Sequence, residues 1–138
     1  QGGPAILEAC RELRRTSYPD GLPTGEAVAT TAGLLPAKYV IHTVGPIWKG
    51  GTANEEALLE QAYVNSLAAA EALACSSITF PAISTGAYGF PKKLAAETAI
   101  RAITGYLEGR QTALRIVLVF FHHEDRELFE NRFRTREN

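Results

Sequence analysis

The run "LRIVLVFF", residues 114–121, limits the fold more than any other segment. It offers no polar face to water, so it reads as a strand covered on both faces, in a sheet with helices on either side. A second buried strand is expected at "SSITFPAI", residues 76–83. Between them, "PKKLAAETAIRAITGYLEG" has helical periodicity. Pro91 stands at its start and Gly109 at its stop, and Ala96, Ile100, Ile103 and Leu107 form its inward stripe.

The rest of the chain extends this pattern. Pro4 suits a first helical position, and the segment after it places Ile6, Leu7, Cys10 and Leu13 on one apolar stripe. The turn-rich "TSYPDGLPTG" ends that helix. "EAVATTAG" alternates weakly as a short strand, and the β-branched and aromatic "KYVIHTVG" at 38–45 is a stronger one. The longest helix is expected over 52–74, with Thr52 and Glu55 as a capping box and Leu58, Ala62 and Leu67 facing inward. A final helix is expected over 124–138. The order α, β, β, α, β, α, β, α, without repeat or linker, predicts a single α/β domain over residues 1–138, built in three layers around a mixed, largely parallel sheet.

Charge narrows the partners. With 14 basic and 15 acidic side chains the formal charge is -1, so no general field draws nucleic acid or a membrane, and a bound anion must be held by a local site. No apolar run approaches the length of a membrane span, and the chain reads as soluble and cytoplasmic. Cys10 and Cys75 fit reduced thiols, and neither has metal-ligand spacing to another Cys or His. The chain starts at Gln1 without an initiator Met, and we expect the natural polypeptide to extend further at this end.

The loop "FPAISTGAYGFPKK", residues 80–93, lies where such sheets collect ligands, beyond the carboxyl end of a strand. Gly86 and Gly89 permit close backbone approach, while Ser84, Thr85 and the loop N–H groups can donate to phosphate oxygens at the foot of the next helix. Lys92 and Lys93 sit in that helix's first turn, against the macrodipole, a conflict typical of functional sites and also of plain surface charge. The loop is neither G-x-x-x-x-G-K-[ST] nor G-x-G-x-x-G, and Ser84 is not in a G-x-S-x-G elbow. A P-loop enzyme, a nicotinamide dehydrogenase and a serine hydrolase are therefore disfavoured.

The strings "PAISTGAYGFP" and "LPAKYVIHTVGPIW", with "GGPAILEAC", "PTGEAVAT" and "IVLVFFHHEDRELF", span essentially the whole chain. Together they resemble the macrodomain family, in the branch of MacroD-type ADP-ribosyl hydrolases and O-acetyl-ADP-ribose deacetylases. The resemblance implies a sheet between helices with an ADP-ribose cleft at its top. It implies that Ser84, Thr85, Gly86, Ala87 and Tyr88 wrap the diphosphate through backbone donors, that Tyr88 also packs beside the distal ribose, and that Phe121 lies against the adenine. Members of this branch begin with two further elements, which carry an adenine-binding acid and the Asn and Asp that position the ribose and activate water. Those elements are not in this sequence, so no residue is carried over as catalytic base.

The function implied is ADP-ribose binding and, in the complete protein, hydrolysis of O-acetyl-ADP-ribose or of esters on mono-ADP-ribosylated proteins, without metal or cofactor. The alternative is a binding module without turnover. Among the other polar residues, His42 is expected to be a hydrogen-bonded structural histidine. His122, His123, Glu124 and Asp125 lack the spacing of a metal site. Asp20 and Glu26 read as solvent-facing or capping groups. Phe120 and Phe121 point to opposite faces of their strand, so one of them is expected in the core.

Overall fold

The structure is a computed structural model and describes residues 3–86, 88–120, 126, 127, 130 and 131. Its elements are α1 (Pro4–Thr16), β1 (Ala27–Thr31), β2 (Tyr39–Thr43), α2 (Glu55–Ala72), β3 (Ser77–Pro81), α3 (Lys92–Leu107) and β4 (Arg115–Val119). The expected order is present up to β4. The expected last helix falls mostly outside the described residues, although Arg126, Glu127, Glu130 and Asn131 are helical.

The strands form two ladders. β1 pairs antiparallel with β2, Ala29 opposite Ile41. Only seven residues join these strands, too few for the crossover that parallel pairing requires. β3 and β4 are joined through α3 and pair parallel, Thr79 opposite Val117. No pairing among the described residues links the two ladders. Residues 36–43 and 75–84 instead face each other across a cavity of about 980 Å³, floored by Ser66 and Ala70 of α2. Among the described strands the expected mixed, largely parallel sheet is therefore seen as two separate ladders, one antiparallel and one parallel.

The core lies where α2 and α3 pack together against β3 and β4. Leu59, Tyr63 and Leu67 of α2 meet Ala95, Ala99, Ile100, Ile103 and Tyr106 of α3, with Phe80 and Phe90 between them. The stripe read for α3 is buried at Ala96, Ile100 and Ile103, and Leu107 packs at its edge. On α2 the expected Ala62 and Leu67 are fully buried, but the third buried position is Leu59, with Leu58 only partly covered. On α1, Ile6, Cys10 and Leu13 are half-buried, but Leu7 is 54 % exposed.

β4 also departs from expectation. None of its residues is fully buried, and Val119 is 49 % exposed. Leu114, Ile116 and Leu118 pack against the core, whereas Arg115 and Val119 are exposed. Phe120 packs against the same core and so takes the structural role open to one of the Phe120/Phe121 pair.

Candidate functional site

The connection from β3 to α3 is drawn tight by its own backbone. Phe90 N–H donates to Ser84 C=O at 3.0 Å, Gly89 N–H to Gly86 C=O at 3.0 Å, and Thr85 Oγ1 to Ala82 C=O at 3.1 Å. The Thr85 hydroxyl is thus engaged within the loop. Ile83 N–H donates to the Tyr63 hydroxyl at 3.3 Å, fixing the loop's base to α2. Burial pushes the Tyr63 phenol up to about 12, partly offset by the Ile83 N–H, so it stays protonated.

Ser84 is the strained member. Its φ is 66°, in the left-handed region that non-glycine residues rarely occupy, and its Oγ is buried without a hydrogen-bond partner. Gly86 is exposed, and a Cβ there would meet nothing within 4 Å. Gly89 has φ 71° and supplies the turn back towards α3. Tyr88 is 41 % exposed at the loop's tip. Ala87 and Phe121 lie outside the described residues.

A second loop, after β2, presses against the first. Gly45 is buried, and a Cβ there would collide with Ser84 Oγ and come within 2.5 Å of Ile83 Cγ2. Trp48 N–H donates to Tyr88 C=O at 2.9 Å, and its indole lies 4.9 Å from the Phe90 ring. A small cavity of about 170 Å³ separates the loops, walled by Gly45, Ile47, Glu55 and Tyr88 among others. One clue to this contact is legible in the chain itself, a lone glycine between Val44 and Pro46 at a strand end.

Glu55 does not form the expected capping box. The N-cap of α2 is Asn54, at φ 64°, with no side-chain cap. The Glu55 carboxylate instead accepts from Lys49 N–H and Gly51 N–H, both at 2.8 Å, and from Ala53 N–H at 2.6 Å. It is 2 % exposed. Burial alone would push its pKa up, but the backbone donors outweigh that and hold it at about 2. Lys92 and Lys93 occupy the first turn of α3 as expected, with no acidic residue there, and both are exposed.

Away from these loops, His42 Nε2 lies 2.8 Å from Thr30 Oγ1 and 3.9 Å from Cys10 Sγ. It is a hydrogen-bonded structural histidine, and burial lowers its pKa. Cys10 and Cys75 are free thiols. Asp20 and Glu26 are exposed. His122, His123, Glu124 and Asp125 lie outside the described residues, and among those that are described no group of three potential metal ligands exists. No described helix is long and apolar enough to cross a membrane.

The profile of the macro domain family matches residues 1–99. The chain belongs to the macro domain family. It is 47 % identical over 135 residues to an O-acetyl-ADP-ribose deacetylase of Escherichia fergusonii, covering 98 % of this chain and 75 % of the relative. Among solved structures, the Oceanobacillus iheyensis macrodomain with ADP superposes with a TM-score of 0.92 at 36 % identity, over 99 % of this chain and 72 % of that one. The Trypanosoma brucei macrodomain in complex with ADP-ribose gives 0.79 at 31 % identity, over 94 % and 52 %. The α/β macro fold expected from the resemblance is therefore the fold of this chain, and the 84–90 loop sits at the carboxyl end of one of its parallel strands.

Proposed function

We propose that this macro domain binds ADP-ribose through the 84–90 loop and hydrolyses O-acetyl-ADP-ribose or related ADP-ribosyl esters, including those on mono-ADP-ribosylated proteins. The observation that carries the reading is Ser84. A non-glycine residue held in the left-handed region costs about 1–2 kcal/mol, and a buried hydroxyl without a partner costs about 1–3 kcal/mol more. Both fall on one residue, at the carboxyl end of a parallel strand. Strain concentrated there fits a loop shaped for a ligand rather than for stability.

The chemistry suits a chain of charge -1. A diphosphate can be held by loop N–H groups and the foot of α3 without a basic surface. The deacetylase relative supports the step that follows. Water adds to the ester carbonyl, the acyl–oxygen bond breaks, and carboxylic acid and a free ribose hydroxyl leave. The residues described here supply binding and orientation to that step. We further propose a cytoplasmic location, a compartment in which lone thiols such as Cys10 and Cys75 stay reduced.

Calorimetric titration with ADP-ribose, with NAD+ and ATP as controls, tests binding. Release of acetate from O-acetyl-ADP-ribose, followed by NMR, tests turnover. Selective saturable binding with acetate release is expected. Binding without release would mark a binding module, and a folded protein that ignores ADP-ribose would sink the reading.

A further inference from the structure

We propose that Glu55 is a positioning residue for the ligand loop: its carboxylate gathers the 49–53 turn, and that turn holds Trp48 against Tyr88 and Phe90. The inference rests on the reading of residues 84–90 as the loop that binds ADP-ribose.

The contacts run in sequence. Gly50 and Gly51 have φ 88° and 90°, and this pair of left-handed residues lets the N–H groups of Lys49, Gly51 and Ala53 converge on one carboxylate. Backbone N–H groups gathered by a turn make an anion-binding concavity. Here the anion is the chain's own side chain, at the first residue of α2. The concavity in turn seats Trp48. A Cβ on Gly51 would lie 3.1 Å from Trp48 Cη2, so the glycine backbone is packed flat against the indole.

The indole also meets Phe90, tilted, at 4.9 Å between ring centroids, and the Trp48 backbone N–H donates to Tyr88 C=O at 2.9 Å. Phe90 N–H then closes on Ser84 C=O. Glu55 therefore reaches Tyr88 and Phe90 through one tryptophan, and Ser84 through Phe90, while remaining buried itself. Its depressed pKa agrees with this arrangement, since a protonated carboxyl would accept these donors less well.

Trp48 is the only tryptophan in the chain, so its fluorescence reports on this loop alone. Glu55→Gln keeps the side chain's length but turns an amide NH₂ towards one of the backbone donors. Glu55→Asp keeps the charge but shortens the reach. In either variant, folded by circular dichroism, Trp48 emission is expected to shift to the red and become more open to acrylamide quenching. ADP-ribose should bind about twofold to thirtyfold more weakly, the range over which remote contacts modulate a site.

Amide exchange in the unmodified protein decides the same point without a variant. Protected Gly51 and Ala53 amides are expected, and exchange at open-loop rates overturns the proposal. So do folded variants with unchanged Trp48 emission, quenching and ADP-ribose affinity. If the unmodified protein fails to bind ADP-ribose, the functional reading falls, while emission and exchange in the ligand-free state still decide whether Glu55 holds the loop.

Discussion

Replacing Gly45 with alanine tests whether the loop after β2 sets the position of Ser84. The φ of Gly45 lies outside the left-handed region, so the change brings no backbone strain and acts through space alone. The new methyl would sit 2.5 Å from Ile83 Cγ2 and 3.4 Å from Ser84 Cβ, and would overlap Ser84 Oγ. Carbon atoms pack best at about 3.5–4.0 Å, so one loop must retreat by about 1 Å. Overpacking of this size costs about 1–3 kcal/mol. The entropy of unfolding a chain of 138 residues is roughly 0.3 kcal/mol per kelvin. The expected fall in melting temperature is therefore about 3–10 °C. Because the retreat displaces Ser84, ADP-ribose affinity should drop about tenfold, or 1.4 kcal/mol. Gly86→Ala is the control, since its Cβ meets nothing within 4 Å and its φ needs no glycine. It should melt within a few degrees of the parent and lose affinity only if the ligand's phosphates pass there. Calorimetry and thermal melts on both variants give the answer. A Gly45→Ala protein with parental melting and affinity would refute the contact.

Ser84→Gly should raise stability by about 1–2 kcal/mol as the left-handed strain is relieved, while ADP-ribose binding weakens; equal or tighter binding would remove Ser84 from the site. Tyr63→Phe leaves the Ile83 N–H without its acceptor and should cost about 1–3 kcal/mol in urea unfolding. Glu55 has a pKa of about 2, below its ordinary 4.5, so the unfolded state binds the proton first. Its contribution is present above pH 4.5 and is lost as pH falls towards 2, and the acid slope of stability over that window should flatten in Glu55→Gln. His42 is lowered from 6.5 by burial, so the folded state resists its proton. Stability should fall as pH drops below 6.5, and His42→Gln should reduce that dependence in melts taken across the window.

The elements were legible where a residue's neighbours in sequence decide its environment. β-branched runs marked β2, β3 and β4, and the apolar stripe marked α3. On α2, Leu58 and Leu59 stand side by side, and either fits an inward stripe through Ala62 and Leu67, so the pattern alone does not separate them. Leu7 was misplaced on α1 because the stripe could be drawn through it or past it with similar periodicity. The pairing of strands was less legible still, since ladder partners such as Val28 and His42 are fixed by the turn between them and not by their own types.

Glu55 shows where local reading misleads. Thr52 and Glu55 have capping-box spacing, and the box would have used the Thr52 N–H. The signal that competes is Gly50-Gly51, whose left-handed backbone turns three other N–H groups onto the same carboxylate. The diphosphate proposed for the loop beside it would be held by the same physics as this carboxylate in its cluster of N–H groups. The glutamate makes its contacts within the chain and is satisfied on folding, whereas Ser84 is left unsatisfied. That contrast between the two adjacent loops is why we assign structure to the first and propose ligand binding for the second.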